Sequence, residues 1–290
     1  MLFLKKINRK FRIVNRCKVL TAKIFAKIFF LSFSNGWSVE VSQNLHNIKR
    51  TVSTKHGQLT MIASNWLTLY RAKTLTQKEP DTICWLDSME GDSTLFDVGA
   101  NVGVYSIYAA QKIKEVYSFE PIAFNYSILN QNILLNSFDK KIKAFCLAIS
   151  NKQSFDFMNL SGTELGSSFH SFSANKDVAG KEFTPVFRQG AISYTLDQLV
   201  YKHNFPCPNY LKIDVDGLQA DIINGANKLL GDKTLKSILL ELNEDLEDDQ
   251  KAMEKIFSSG FKIISKGDID EYVFMHENMK VRNYIFERMS

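Results

Sequence analysis

The chain is poor in the patterns that mark several function classes. Its four cysteines, Cys17, Cys84, Cys146 and Cys207, are far apart, with no C-x-x-C pair and no compact His/Cys cluster. A structural zinc site is therefore not expected, and the thiols read as reduced, which points to the cytoplasm. No apolar run is long enough to span a bilayer, because Lys18, Lys23 and Lys27 interrupt the most apolar N-terminal stretch. No small-residue cleavage site follows an unbroken apolar segment there, so a signal peptide is not expected. A G-x-x-x-x-G-K-[ST] loop is missing, which disfavours a P-loop nucleoside triphosphatase, and so is G-x-G-x-x-G, which disfavours a bound dinucleotide. Residues 1–30 hold nine Lys or Arg and no acid, so the other 260 residues carry 27 bases against 31 acids. The mildly acidic remainder argues against a broad nucleic-acid surface, and no nucleic-acid partner is expected.

What remains is an ordinary globular composition. Apolar residues make up 45% of 290 residues, enough for one large α/β domain with an extension. The expected division is 1–58, an extension, and 59–290, the α/β domain. Most of the 22 Phe residues should be core. Within the extension, Phe3, Ile7, Phe11, Val14, Thr21, Phe25 and Ile28 recur at helical steps, opposite Lys5, Arg9, Arg12, Arg16, Lys23 and Lys27. A basic amphipathic helix over 3–29 suits peripheral contact with an anionic membrane at its inner surface. It equally suits packing on its own domain or on a second subunit of a homo-oligomer. Residues 31–60 read as a linker, with a hairpin around His56-Gly57.

The rest of the chain answers to Thr94–Pro121. Leu95-Phe96 is an apolar strand ending on Asp97; Gly99 to Gly103 is a small-residue turn; Val104 to Lys112 reads as a helix; and Val116 to Phe119 is a strand ending on Glu120. This strand–turn–helix–strand unit opens a doubly wound α/β sheet, whose ligands bind outside the carboxyl ends of the strands. Gly99 and Gly103 allow a tight turn and a close backbone approach, and Asn101 lies between them. Glu120 follows Asp97 by 23 positions, about where the dinucleotide version of the unit holds a ribose hydroxyl pair. With G-x-x-x-G in place of G-x-G-x-x-G, the expected ligand is a nucleoside without a pyrophosphate, whose charged amine could face Asp97.

The segments Phe96-Asp97-Val98-Gly99-Ala100-Asn101-Val102-Gly103, Phe119-Glu120-Pro121 and Lys212-Ile213-Asp214-Val215-Asp216-Gly217 resemble the FkbM-type S-adenosylmethionine-dependent methyltransferases, over roughly Leu59 to Phe286. The resemblance implies a seven-stranded, Rossmann-like class I methyltransferase fold, S-adenosyl-L-methionine as cofactor, and methyl transfer to a hydroxyl oxygen. It also implies that Ala148, at the end of the third strand, lies at the adenine edge. One residue departs from the pattern: the family often has Glu where this chain has Asp216, a carboxylate one methylene shorter.

Further strands are expected over Lys141–Leu147, Tyr210–Asp214, Leu235–Glu241, Phe261–Ser265, Glu271–Met275 and Asn283–Phe286. Helices are expected over Ile122–Asn136, with Phe124 inward, and over Leu218–Leu230. Thr195 is expected to cap a short helix and Pro80 to start another. Residues 151–190 read as an insertion near the carboxyl ends of the strands, where substrate selection would sit. Its aromatics Phe155, Phe157, Phe172 and Phe187 are expected to pack on the sheet.

For the chemistry, Asp97 is read as the partner of the cofactor amine, Glu120 as the partner of the ribose, and Asp214 as the acceptor-side or basic carboxylate. Asp214, Asp216 and Glu241 could hold a divalent cation through hard oxygen ligands, but the spacing does not establish one and no metal is assigned. His170 and His203 are bases by chemistry alone. The expected acceptor is a small molecule or glycan hydroxyl. Two other readings stay open: an NAD-dependent oxidoreductase on a similar sheet, and a non-catalytic scaffold keeping the fold.

Overall fold

The computed structural model describes residues 35–168, 170–173, 182–268 and 281–289, together with Thr21 and Ile24. The chain divides into two compact units, Met1–Ile48 and Lys49–Ser290. The amphipathic segment 3–29 and the strand expected over Glu271–Met275 lie outside the described residues. Within the first unit, helix α1 (Asn35–His46) occupies what the sequence reads as linker. Among the described residues no helix is long and apolar enough to cross a membrane.

The second unit opens with the expected hairpin, β1 (Lys49–Thr54) antiparallel to β2 (Gly57–Ile62). Its edge is tied down by side-chain amides. Asn136 Oδ1 accepts the Thr60 N–H at 2.9 Å and its Nδ2 donates to the Thr60 carbonyl at 2.8 Å, while Asn132 Oδ1 accepts the Ile62 N–H at 2.8 Å. Two helices come next, α2 (Trp66–Thr74) and α3 (Pro80–Ser88). Asn65 caps α2 by accepting the Thr68 N–H at 2.8 Å, and Pro80 occupies the first turn of α3, where its missing N–H costs no helical bond.

The central sheet has seven strands. They are β3 (Thr94–Val98), β4 (Glu115–Phe119), β5 (Ile142–Phe145), β10 (Tyr210–Ile213), β11 (Ser237–Asn243), β12 (Phe261–Lys266) and β13 (Val281–Arg288), in the order β12-β13-β11-β10-β3-β4-β5. The strands β5, β4, β3, β10 and β11 are parallel neighbours, and β13 runs antiparallel between β11 and β12. Both faces are covered, so the strands read as nearly continuous apolar runs. Leu95, Val116, Tyr210 and Leu239 pack on one side; Phe96, Phe119, Leu211, Ile213, Ile238 and Leu240 pack on the other. The chain leaves β3 for β4 on one side and later returns as β10 on the other. This places the topological switch point, where such sheets bind ligands, at the end of β3.

The remaining helices are α4 (Val104–Ala110), α5 (Ala123–Leu135), α6 (Leu196–Tyr201), α7 (Gln219–Asn224), α8 (Asn227–Gly231) and α9 (Glu247–Ser258). Thr195 caps α6 as expected, accepting the Gln198 N–H at 3.0 Å. The single helix expected over Leu218–Leu230 is broken into α7 and α8 at Gly225. A Cβ there would lie 2.4 Å from the Ser150 carbonyl oxygen, so the two backbones meet where a longer helix would have to pass.

The insertion is a second sheet of β6 (Ala148–Ile149), β7 (Ser154–Leu160), β8 (Ser171–Phe172) and β9 (Phe187–Tyr194), in the order β6-β9-β7-β8. Ala148 thus leaves the main sheet and begins this one. Met158, Leu160 and Phe172 pack inward with Ile122. Contrary to expectation, Phe155 is 84% exposed and Phe157 51%. They lie opposite Ile192 and Gly190 on the face of β7 turned away from the domain. Phe124 and Phe187 are also exposed and contact each other, ring centroids 6.3 Å apart.

Candidate functional site

A cavity of about 790 Å³ opens over the carboxyl ends of the parallel strands. That is ample for a nucleoside. The segments leaving β3, β4, β10 and β11 form its wall, together with β6 and one side of α2. Gly99, Asn101, Glu120, Ala148 and Asp214 line it. The structure therefore brings together five of the seven residues singled out from the sequence and the resemblance. Asp97 and Gly103 do not reach the wall: Asp97 is 1% exposed, and Gly103 precedes α4, where a Cβ would lie 2.3 Å from Leu129 Cδ1.

The turn after β3 is held by close backbone contacts. Gly99 has φ +81°, and a Cβ there would stand 1.9 Å from the Asp214 carbonyl oxygen, so only glycine fits. The Gly99 and Ala100 N–H groups donate to the Phe119 carbonyl at 2.9 and 3.1 Å. Asn101 also has positive φ, at 51°. Its side chain accepts the Val102 N–H at 2.9 Å and donates to the Ser167 carbonyl at 2.9 Å. Its own N–H points to the next strand.

That N–H meets Glu120. Oε2 accepts it at 2.8 Å, and Oε1 accepts the Ile122 N–H at 2.9 Å. The carboxyl is 4% exposed. Burial pushes its pKa up to about 7, with help from Asp216, against the two N–H groups and Arg71. Each oxygen spends one lone pair on the backbone. The residue lies on the cavity wall, so the others are available to hydroxyl donors. Beyond it Pro121, Ile122, Leu147, Ala148, Met158 and Phe172 make an apolar section of wall.

The β10 side is ionic. Lys212 is 1% exposed. Its Nζ donates to Asp214 Oδ2 at 2.8 Å, lies 3.6 Å from Asp97 Oδ1, and sits 5.0 Å from the centroid of the Tyr105 ring. Burial opposes its charge, but Asp214, Asp97 and Glu79 outweigh burial and raise its pKa. Burial pushes Asp214 up, but Lys212, Lys78 and Arg71 together outweigh it, so its carboxyl stays below the usual range. Glu241 is half-buried near the same acids and, among the described residues, has no bonded cation. Burial, then Asp214 and Glu79, raise it well above the usual range. Asp97 Oδ2 accepts the Ser106 hydroxyl at 2.5 Å, while Oδ1 has no hydrogen-bond partner. Asp97 thus neutralises Lys212 behind the wall. Sequence reasoning missed Lys212, although a lysine inside an apolar strand with an acid two residues on was a visible signal.

His170, 5% exposed, lines the cavity. Its Nδ1 accepts the Ser161 N–H at 3.2 Å, and Nε2 lies 3.0 Å from Ser167 Oγ. Burial lowers its pKa to about 4. The neutral ring therefore carries its proton on Nε2, and its lone pair is engaged. The other candidate base, His203, packs edge-on against Tyr194 and is not among the cavity-lining residues. Among the described residues no group of three His, Cys, Asp or Glu is placed to hold a metal ion.

Comparison with known proteins gives one family and a set of distant structural neighbours. Residues 97–286 match the Methyltransferase FkbM domain. No curated protein matches the sequence. Among solved structures, methyltransferase FkbM from Methylobacillus flagellatus KT is 12% identical with a TM-score of 0.46, covering 69% of this chain and 44% of that one. This chain therefore spans less than half the length of that protein. Aeropyrum pernix fibrillarin, solved with natively bound S-adenosyl-L-methionine, is 11% identical with a TM-score of 0.43 and covers 82% of each chain. The precorrin-6y C5,15-methyltransferase from Geobacter metallireducens GS-15 is 14% identical with a TM-score of 0.40, covering 73% of this chain and 86% of that one.

Proposed function

Because the chain belongs to the FkbM methyltransferase family, we propose that its cavity binds S-adenosylmethionine and that the protein methylates a hydroxyl oxygen of a small-molecule or glycan acceptor. The observation that carries this reading is Glu120, a buried carboxyl on the cavity wall whose two oxygens each keep a lone pair for a donor. A ribose diol offers two O–H donors at that spacing. Accepting them favours the ionised carboxylate that burial disfavours. The backbone of Gly99 to Asn101 brings the chain close to the same ligand, and the apolar section around Ile122, Ala148 and Phe172 suits an adenine ring.

When bound, S-adenosylmethionine supplies an electrophilic methyl group on a sulfonium. The chain's own part is to align the acceptor oxygen and manage its proton. Lys212 keeps Asp214 ionised at the wall, so Asp214 can accept a hydrogen bond from the acceptor hydroxyl and then its proton. Alignment of this kind accounts for much of the rate gain in group transfer, and a positioned base adds roughly 10²–10⁴-fold. Glu241, raised above the usual carboxylate range by burial and then by Asp214, lines the same cavity.

The test is calorimetric titration of S-adenosylmethionine and S-adenosylhomocysteine into the wild type and into Glu120→Ala. Binding by the first and its loss in the second are expected. A folded wild type that binds neither ligand would sink the reading. The methylated atom is then read by NMR of product, where O-methylation gives a methoxy carbon signal.

A further inference from the structure

We propose that Arg71 is the cation that receives the carboxylate at the amino-acid end of the cofactor. The inference rests on the cofactor reading above and names a residue that the sequence did not single out. Helix α2 lays Leu67, Tyr70, Arg71 and Thr74 along the cavity wall, followed by Leu75. This is one stripe at three- and four-residue steps. Thr68 and Ala72, on the other side, are buried.

Arg71 is fixed at one edge only. Its Nε–H donates to the Gly166 carbonyl at 2.9 Å. That carbonyl is itself immobilised. Gly166 has φ +83°, its N–H donates to Asn125 Oδ1 at 2.8 Å, and a Cβ on it would already touch Arg71 Nε and Thr68 Cγ2 at 3.5 Å. A guanidinium has five N–H donors in a rigid fork, so four remain. Among the described residues none of the four has a hydrogen-bond partner, and no acid lies within ion-pair distance of Arg71. The other two cations on the wall are already engaged, Lys78 with Glu79 at 3.1 Å and Lys251 with Glu247 at 2.8 Å.

Position then selects the ligand group. Arg71 draws down the pKa of both Glu120 and Asp214. It therefore acts on the space between the end of β4, where a ribose would be held, and the end of β10, where the acceptor would meet the methyl group. An amino-acid chain running from ribose to reaction centre must cross that space. Its carboxylate would otherwise face Glu79, Asp214, Asp216 and Glu241, where Lys78 and Lys212 are already bonded to Glu79 and Asp214. A planar fork anchored at one edge presents two parallel N–H groups, the geometry a carboxylate accepts in bidentate fashion.

Two ligands separate the outcomes. S-adenosylhomocysteine carries the amino-acid end; 5′-methylthioadenosine has the same nucleoside thioether without it. Titrating both into the wild type, Arg71→Met and Arg71→Lys should show S-adenosylhomocysteine weakened about 10- to 100-fold in Arg71→Met, the range for losing a charged hydrogen-bonded pair. Arg71→Lys should fall between, and 5′-methylthioadenosine should bind all three alike. Unchanged S-adenosylhomocysteine binding in Arg71→Met would overturn the inference. So would equal weakening of both ligands, which would make Arg71 a support for the Gly166 turn. A wild type that binds neither ligand would instead overturn the cofactor reading, and this inference with it. Thermal melting of the variants checks folding, and Arg71→Lys retains the charge if Arg71→Met is unstable.

Discussion

Glu120 and Asp214 stand at two ends of one cavity, each at the carboxyl end of a parallel strand, and burial is the largest influence on the charge of both. Glu120 receives two backbone N–H groups at 2.8 and 2.9 Å and is still pushed up to about 7. Asp214 receives one ammonium, Lys212 at 2.8 Å, and is held below the usual carboxylate range. Backbone dipoles satisfy hydrogen bonds without returning the solvation a buried charge loses, whereas a whole opposite charge does. One end of the cavity is therefore left needing a ligand's donors, and the other is poised without one.

The largest effect should come from breaking the ionic end. Lys212→Met removes the buried ammonium that Asp97 and Asp214 share. Loss of one member of such a pair costs about 3–5 kcal/mol, to be read as a lower midpoint in urea unfolding. Adding Asp97→Asn to that variant should recover part of the loss, since one orphaned charge is then removed. If Lys212→Met is as stable as the wild type, the contrast between the two ends is wrong.

The dipole end should respond in binding more than in stability. Glu120→Ala should weaken S-adenosylhomocysteine roughly 100-fold, the size of two hydrogen bonds to a charged group less the water that refills the space. Its unfolding midpoint should move far less than that of Lys212→Met. A variant that binds normally would take the ribose away from Glu120. The pH dependence is smaller and its sign is fixed. The folded carboxyl titrates at about 7, so below that pH it is protonated and spends one oxygen as a hydroxyl. Affinity should rise as pH increases through 7 and then level off, by about tenfold per pH unit at most below the midpoint. Asp214→Asn should leave this profile in place, because its own carboxyl is already ionised throughout.

The same distinction explains what could be read from the chain beforehand. The strand–turn–helix–strand unit was legible because its signals are local: an apolar strand ending on Asp97, then Gly99, whose conformation and contact with the Asp214 carbonyl admit no side chain. Glu120 was legible from its distance along the chain. The resemblance supplied the seven-stranded sheet, and the strand order agrees with it. Asp97 shows the limit: its place at a strand end was visible, but its register partner on β10 is Lys212, and that pairing turns the carboxylate to a neighbour. The helix break at Gly225 depends on the Ser150 carbonyl, a contact across 75 residues that no local pattern encodes. Phe155 and Phe157 were misplaced because an apolar side chain on a two-layer strand says nothing of which face is covered. Arg71 belongs to a helical stripe whose neighbours read equally well as a cap on the sheet edge. Only the cavity distinguishes the two.

His170 extends the comparison to a buried base and carries the smallest predicted effect. Its ring has hydrogen bonds at 3.2 and 3.0 Å, the Asp216 carboxylate takes only its backbone N–H, and burial lowers its pKa to about 4. As for Glu120, dipoles alone do not sustain the charged form; for an imidazole that moves the pKa the other way. In the unfolded chain a histidine titrates near 6.5. Between these values the unfolded state binds the proton and the folded state refuses it. The stabilising difference is fully present above about 6.5 and is lost as pH falls toward 4. His170→Gln keeps an acceptor for Ser161 and a donor for Ser167 but cannot titrate. It should remove part of the acid-side slope in stability, on the order of 1 kcal/mol, and change methyl transfer by less than about threefold. Nitrogen NMR at neutral pH should find the wild-type ring uncharged with its proton on Nε2. A ring protonated there would overturn the effect of burial on its charge, and a hundredfold loss of transfer in His170→Gln would make His170 the base and leave Asp214 only the task of orienting the acceptor.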